Sequence, residues 1–519
     1  NVAVSGGGDK GNYLFSLNYF NQQGTLMNTY LIRYTIRSNT QYNISDHIRV
    51  GENLVFSMSD NPAVEINSSD AAIGHAMREQ SIIPVYDIKG NFAGSAGDAL
   101  GDAFNPVAMQ VRTRNDKGLN TRLFGNVYGE VDFLKYLTLR TSFGGEVVSG
   151  WSHSFTYPQY ENKENATGNA YTEGSANAHN WTWTNTLTYH ETFNGAHDLK
   201  IIAGTESYSS RSRSVGGTTK DYFTFDPNFP DLSTGTGVQT NYSIRELESL
   251  FSILGRVDYA YKDKYLLSAT VRRDGSSKFI NNHYGTFPAI TAGWRISQEQ
   301  FMKKVSWISD LKLRGGWGIM GNQLNLTVNN GYFLYGGDRN ATYYDLAGVN
   351  NGLDAGFAGK QIGNPGAKWE SDINANIGID EALFNGEFDF SADYYRKDIK
   401  DLLYDPELPG LAGTSAQPFV NIARMKNEGF DFSLGWHKSI SKNLQLNVTG
   451  TLTTYKNKIV KIADGVDYFD SDGRRFDGSN IIRNAVGQPV SSFFGYKIIG
   501  FWNEDAELTE ADKLAQKAT

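Results

Sequence analysis

The sequence predicts an all-β protein, an antiparallel transmembrane β-barrel with short turns at one end and long loops at the other. Three observations lead there. Short and long connections alternate between segments of period-2 hydrophobicity. One face of those segments is aromatic and aliphatic, and the other is Ser, Thr, Asn, Asp and Arg. No run approaches the roughly 18 consecutive apolar residues of a membrane-spanning helix.

The short connections are Gly8-Asp9-Lys10, Tyr42-Asn43-Ile44-Ser45, Leu134-Lys135-Tyr136, Asn194-Gly195-Ala196, Lys262-Asp263-Lys264, Phe384-Asn385-Gly386 and Ser441-Lys442-Asn443. Between them lie excursions over 60–116, 152–178, 211–245, 322–368, 400–427 and 459–490. Up-and-down barrels of an outer membrane sort their connections this way, with tight periplasmic turns and long extracellular loops. A soluble sandwich has no reason to sort loops by parity.

Alternation is clean along the strands. Tyr13, Phe15, Leu17 and Tyr19 alternate with Asn12, Ser16 and Asn18, with Leu14 the one break. Trp181, Trp183, Leu187 and Tyr189 alternate with Thr182, Thr184, Thr186 and Thr188. Phe430, Phe432, Leu434 and Trp436 alternate with Asp431, Ser433, Gly435 and His437, and Leu444, Leu446, Val448 and Leu452 with Gln445, Asn447, Thr449 and Thr451. This pattern places Phe432 and Leu446 on the lipid face near the midplane, and Ser433 and Asn447 on the lumen side. A polar inner face suits a wide, wet lumen, because a small filled barrel needs an apolar interior. Counting such segments gives about seventeen strands. Unpaired outer strands invite aggregation, so partner strands are expected beyond residue 519.

Two helical pieces interrupt the pattern. Asp70 to Glu79 is predicted as a helix inside the first long excursion, and Ser297 to Lys304 as one turn with Ser297 as N-cap.

Composition agrees with a barrel. A closed barrel can absorb 519 residues as one unit. Only 39% of residues are hydrophobic and the mean hydropathy is −0.44, as expected where every second strand residue faces lipid. The 30 Phe, 29 Tyr and 9 Trp, with 55 Gly against 12 Pro, suit strands with aromatic girdles and fit a helical enzyme poorly. The absence of cysteine excludes disulfides, thiol catalysis, Cys-ligated zinc and iron–sulfur clusters. A net charge of −8 with no basic stripe argues against nucleic acid as a partner. The chain opens at Asn1 directly in strand-like sequence and ends within a helix-like stretch, Glu504 to Ala518, so an internal fragment of a longer protein is expected.

Motifs for chemistry are weak. Gly6-Gly7-Gly8-Asp9-Lys10-Gly11 satisfies G-x-G-x-x-G, but a second strand follows where a dinucleotide site needs a helix, so it reads as a hairpin turn. Gly359-Lys360 lacks the upstream glycine of a P-loop (Asp354 stands there) and has Gln361 in place of Ser or Thr. Asp470-Ser471-Asp472-Gly473 opens like a calcium loop, yet position 12 is Ile481 where the bidentate Glu belongs; an Asp/Gly turn is the favoured reading and bound calcium the minor one. The eight histidines form no metal-binding pair on a helix, and no nucleophile elbow opens a helix. The expectation is therefore no catalytic residue, no metal site and no cofactor, and the chain is not read as an enzyme.

The long loops carry Tyr157 and Tyr160, Tyr222 and Phe223, Tyr332 and Tyr335, and Tyr343 and Tyr344. Aromatic faces beside Asn, Asp and Gln suit sugar rings, which offer C–H faces and hydroxyl rims. Tyr157, Tyr160, Tyr222, Phe223, Tyr335, Tyr343 and Tyr344 are the ligand-contact candidates. The competing reading is that these rings pack loops against one another.

Several ordered motifs then bring a family into view. Val4-Ser5-Gly6-Gly7-Gly8 leads into YLFSLNYFNQQG from Tyr13 to Gly24. Arg272 to Phe279 (RRDGSSKF), Tyr284-Gly285-Thr286-Phe287-Pro288 and Ala292-Gly293-Trp294-Arg295-Ile296-Ser297 form the most specific stretch. Leu311-Lys312-Leu313-Arg314, Gly321-Asn322-Gln323, Asn364-Pro365, Lys368-Trp369-Glu370 and Asn376-Ile377-Gly378-Ile379-Asp380 extend it. Ala392-Asp393-Tyr394-Tyr395, Asp401-Leu402-Leu403 and Asn427-Glu428-Gly429-Phe430 complete it. Almost end to end, the chain resembles the SusC/RagA-type TonB-dependent transporters of Bacteroidota outer membranes.

The resemblance implies a 22-stranded barrel around an N-terminal plug, a known transporter architecture. It implies a SusD-like surface lipoprotein that caps the barrel, energy from TonB–ExbB–ExbD, and import of oligosaccharides, sometimes peptides. This chain departs from the pattern in showing no plug, TonB box or N-terminal extension, and in lacking about five final strands of the 22. The expectation is thus an incomplete barrel, about 17 of 22 strands, over residues 1–503, with 504–519 the start of a truncated helical loop. Its expected partners are the lipoprotein, TonB–ExbB–ExbD through the missing N-terminal region, a glycan or peptide ligand and outer-membrane lipid. A passive porin or surface adhesin, and an enzyme with a cluster at the barrel rim, are the rival readings.

Overall fold

The computed structural model describes residues 1–62, 70–97, 99–163, 168–224, 226, 229–337, 341–348, 352–406, 413, 415–474 and 480–498. Twelve strands pair in chain order: β1 (Val2–Gly8), β2 (Gly11–Gln23), β3 (Tyr30–Ser45), β4 (Ile48–Asn61), β5 (Lys117–Leu134), β6 (Leu137–Thr156), β7 (Ala170–Phe193), β8 (His197–Lys220), β9 (Gln239–Tyr261), β10 (Tyr265–Ser276), β11 (Tyr284–Arg295) and β12 (Ile308–Asn322). A small hairpin of β13 (Leu334–Gly336) and β14 (Ala358–Gln361) follows outside the main sheet. The sheet then resumes with β15 (Glu370–Leu383), β16 (Phe388–Tyr404), β17 (Val420–Ser441) and β18 (Leu444–Lys461). The result is a 16-stranded antiparallel meander. A separate three-stranded sheet of β19 (Tyr468–Arg474), β20 (Asn480–Ala485) and β21 (Ser492–Phe493) closes the described chain.

The parity of connections holds. Odd-to-even connections are short, except for the 296–307 segment between β11 and β12, and those running from β4 to β5, β6 to β7, β8 to β9, β12 to β15 and β16 to β17 are the long ones. Backbone geometry explains the tight end. Lys262 and Asp263 have φ of 49° and 54°, and Asn194 and Gly195 have φ of 50° and 62°. Positive φ at both central residues gives the turn twist that matches two antiparallel strands. The G-x-G-x-x-G segment is a hairpin, with Gly8 opposite Gly11.

Several boundaries differ from the sequence reading. Among the described residues the main sheet holds sixteen strands, close to the expected number of about seventeen. The second short turn lies at Asp46-His47, because β3 continues through Ser45. The excursions expected at 152–178 and 211–245 shrink to 157–169 and 221–238 as β7, β8 and β9 run for 24, 24 and 23 residues. Likewise the 400–427 excursion is 405–419. Ser297 caps no helix; its hydroxyl donates to Asp310 Oδ1 at 2.5 Å, and the segment forms two 3₁₀ turns, Ile296–Gln298 and Gln300–Lys304. Asp470 begins no turn. It lies in β19 and accepts from Arg483 at 2.8 and, through its second oxygen, 3.1 Å. The helix expected from Glu504 to Ala518 lies outside the described residues.

The first long excursion holds α1 (Ala72–Arg78), close to the predicted helix, and α2 (Pro106–Arg112), which was not predicted. Asn105 caps α2 by accepting from the amides of Val107 and Ala108, and Pro106 fills the first turn, where no amide is needed.

Register confirms the two faces. Phe432 lies opposite Ala392 and Leu452, Leu434 opposite Phe390 and Gly450, and Phe430 opposite Tyr394. On the other face Ser433 meets Ser391 and Thr451, and Asp431 meets Asp393 and Thr453. Phe432 and Leu434 remain 37% and 54% exposed, an arrangement that lipid satisfies and water does not. Leu446 faces the same way but lies opposite Lys438 beside the turn, so it belongs to the membrane edge and not the midplane. At that edge Tyr136–Tyr189, His197–Tyr261, Trp307–Phe384 and Phe388–Trp436 form ring pairs 4.8–6.4 Å apart, an interfacial girdle.

Candidate functional site

The inner wall is polar because alternate residues of every strand point there, and many of its charges are paired, within a strand or across to a neighbour. Arg314 on β12 donates to Asp380 on β15 through Nε and Nη2, both at 2.9 Å, and to Asp393 on β16 at 2.5 and 2.7 Å. Its planar fork is saturated by two carboxylates from successive strands. Arg272 on β10 reaches Glu206 at 2.6 Å, Asp274 at 2.7 Å and Ser252 at 2.9 Å. Arg49 on β4 holds Glu130 and Asp132 on β5. A depression of about 400 Å³ sits beside Arg314, floored by Thr291, Gly293, Gly316 and Asn376 and rimmed by Asp258 and Lys312. Such a wall offers many hydrogen-bond partners along a path.

The RRDGSSKF and KWE motifs build the base of the extracellular loops. Phe279 is fully buried against Leu326, Ala367 and Trp369 of the 323–369 excursion and Leu403 at the end of β16. Trp369 Nε1 donates to the His283 carbonyl at 3.0 Å, and its ring lies 5.1 and 5.4 Å from Phe279 and Phe287. Asn330 exchanges two hydrogen bonds with the Phe419 backbone, at 2.7 and 3.1 Å. Glu370 accepts from the Leu403 amide and from Asn322 Nδ2, both at 3.0 Å. In the NEGF motif, a Cβ at Gly429 would run into the Thr454 carbonyl oxygen, so only glycine lets β17 and β18 close there.

The aromatic candidates separate into two groups. Tyr222 is buried, 7% exposed, in a cluster with Phe155 and Tyr171, and its hydroxyl donates to the Asp231 carbonyl at 2.8 Å. Tyr157 packs against the same cluster. Both rings serve loop packing, although Tyr157 also lines a groove described next. Phe223, Tyr335 and Tyr344 are open to solvent at 91%, 73% and 68%, and Tyr160 at 52%. Tyr343 is half-buried beside Gly337, and Tyr344 pairs with Asp354 across the tip of its excursion. The candidates thus lie on three separate excursions; the structure packs Tyr157 against the Tyr222 cluster and brings Tyr157 and Tyr160 to one open groove.

That place is a groove of about 410 Å³ lined by Phe92, Val111, Arg112, Arg114, Tyr157, Pro158 and Tyr160. Arg112, the last residue of α2, donates to Glu161 at 2.6 and 3.0 Å and lies between the Phe92 and Tyr160 rings, 5.6 and 5.9 Å from their centres. Burial opposes ionisation of Glu161, but its bonds from Arg112 outweigh that and hold its carboxyl below the usual range. The Phe92 amide donates to the Tyr160 hydroxyl at 3.1 Å. Nearby, burial pushes the Asp116 carboxyl up to about 6, although it accepts from the Phe155 amide. Phe92, Arg112, Arg114 and Glu161 were not singled out in the sequence. Among the described residues no group of three or more His, Asp or Glu side chains converges as a metal site.

Comparison with known proteins agrees with this architecture. The sequence pattern of the TonB dependent receptor-like, beta-barrel family matches residues 86–503. TonB-dependent receptor P26 of Formosa agariphila is 30% identical over 516 residues, 98% of this chain and 50% of that protein. TonB-dependent receptor SusC of Bacteroides thetaiotaomicron is 29% identical over 549 residues, 96% of this chain and 51% of that protein. The chain therefore spans about half the length of the curated relatives it matches. A solved structure of the RagAB peptide transporter superposes with a TM-score of 0.78 at 21% identity, covering 95% of this chain and 53% of that one. Sixteen antiparallel strands, sorted loops, a girdled apolar exterior and a family match over most of its length lead to one assignment: the chain belongs to the TonB dependent receptor-like β-barrel family and is a protein of the outer membrane.

Proposed function

We propose that this chain supplies the barrel wall and ligand-recognising loops of a SusC-like, TonB-dependent importer of oligosaccharides or glycan fragments. The observation that carries the reading is a polar lumen wall standing beneath extracellular excursions that keep aromatic rings bare. Recognition then needs only hydrogen bonds and stacking, with no covalent step. Energy enters through TonB–ExbB–ExbD, acting on a plug contributed by a part of the protein outside these residues, and further strands close the sheet.

A SusD-like lipoprotein is the proposed extracellular partner. Supporting it, the 323–369 excursion leaves Leu324, Phe333, Leu346 and Phe357 exposed at 86%, 60%, 80% and 74%, an apolar display that a covering partner would bury. Peptide cargo is the second reading, favoured by the fold shared with a peptide transporter.

The test uses cells expressing the full-length protein, with labelled oligosaccharides and peptides offered separately. TonB-dependent oligosaccharide uptake is expected. Passage that persists without TonB would turn the reading to a passive porin, and TonB-dependent uptake of peptides alone would replace the glycan.

A further inference from the structure

The groove between the first excursion and the 157–163 segment has a charge that the fold does not use. Arg112 is spent: Glu161 neutralises it and two rings cover its faces. Arg114, two residues on, lines the same groove, is exposed, and has no carboxylate within ion-pair distance among the described residues. The groove therefore combines four flat, mostly apolar surfaces (Phe92, Tyr157, Pro158 and Tyr160) with one uncompensated guanidinium at its edge.

We infer that this groove is a subsite for an acidic sugar: a glycan unit whose C–H face stacks on Tyr160 and Tyr157 while its carboxylate meets Arg114. The inference rests on the glycan reading given above and narrows it to carboxylate-bearing chains. Three physical points carry it. An arginine fork matches a planar carboxylate with two parallel hydrogen bonds. Flat rings at a groove wall suit the C–H face of a sugar better than a branched side chain. A peptide would gain from a free strand edge, and among the described residues no named strand lines this groove: its walls are the end of α2 and irregular segments, and the bridges there, Phe92 with Tyr86 and one at Gln159, are already made.

Arg112 then acts as a positioning residue. Held by Glu161, it keeps the Phe92 and Tyr160 rings at fixed separation, so the subsite is formed before ligand arrives. Arg114 is free to be changed without touching that support.

The experiment is calorimetric titration of the full-length protein, purified in detergent, with hexagalacturonate and with its carboxyl-reduced, uncharged counterpart. The acidic chain is expected to bind more tightly, with a preference that falls as salt rises. Arg114→Gln is expected to weaken the acidic chain about tenfold or more and leave the uncharged one unchanged. Tyr160→Ala is expected to weaken both. Equal binding of the two chains with no effect of Arg114→Gln overturns this subsite while glycan import stands. Failure of both hexasaccharides overturns the subsite, and the glycan reading falls with it only if TonB-dependent uptake of labelled oligosaccharides is absent as well.

Discussion

Arg112 and Glu161, 49 residues apart in sequence, meet through two hydrogen bonds of 2.6 and 3.0 Å and thereby tie the first long excursion to the next. Glu161 is almost wholly enclosed, its side chain 1% exposed. Removing one partner leaves the other buried and unpaired, at about 3 kcal/mol or more. Arg112→Ala and Glu161→Ala are each expected to raise amide exchange and protease cleavage across 92–116 and 157–163 without unfolding the sheet. Unchanged exchange in both variants would mean that the pair does not hold these segments together.

Asp116 makes the same region sensitive to pH. Burial raises its folded pKa to about 6 from 3.8, so the folded segment favours the protonated form. Its contribution is greatest below the unfolded value and is lost as pH rises through about 6. The local protection factor around Phe155, which is exchange corrected for its intrinsic pH dependence, is therefore expected to fall between pH 4 and 7, on the order of the interval between those two pKa values. Asp116→Asn should flatten that profile; a profile that stays steep in the variant assigns the effect elsewhere.

Face and depth can be separated by three arginines. Phe432→Arg places charge in the lipid-facing band and is expected to cost roughly 2–4 kcal/mol and impair assembly. Ser433→Arg, facing the lumen, should assemble normally. Leu446→Arg, beside the turn and opposite Lys438, should cost only about 0–1 kcal/mol. Heat-modifiable gel migration of the full-length protein reads all three, and equal damage at 432 and 433 would invert the assigned faces.

Trp369 is the post on which the 323–369 excursion stands. Trp369→Ala removes a ring packed on Phe279 and Phe287 and is expected to destabilise that base by about 3–5 kcal/mol. Deleting 337–357, the part between β13 and β14, should instead leave the base folded while removing Tyr343, Tyr344, Leu346 and Phe357. Binding of a purified SusD-like lipoprotein is expected to fall in the deletion variant. Full binding there would move the contact surface to another excursion.

Much of this was visible in the sequence, for a physical reason. A lipid exterior and wet lumen impose period-2 patterning, so Trp181, Trp183 and Leu187 announce their face, and Lys262-Asp263 or Asn194-Gly195 announce their turns. Above the membrane both faces of a strand meet water, the alternation disappears, and β8 from Tyr208 to Lys220 reads as polar loop although its backbone stays paired with β7 and β9. Ser297 looked like a cap because it precedes a charged turn, yet a nearer acceptor, Asp310, took its hydroxyl. The cue for α2 was present in Asn105-Pro106, an N-cap followed by a first-turn proline. No local cue existed for the groove, since Arg112 and Glu161 become neighbours only once two separate excursions have folded over each other.

The length of β7, β8 and β9 bears on what the cell surface presents to its surroundings. At 23–24 residues and ordinary barrel tilt these strands rise about 60 Å, roughly twice the hydrocarbon thickness of a bilayer. Cleavage requires a stretch of backbone to peel away from its neighbours, and here β7 and β8 are laddered on both sides well out into the medium, while the outer part of β9 is held on one side by β8. Secreted proteases, phage tail fibres and antibodies would thus encounter a stiff parapet first, and susceptible chain only at its crest.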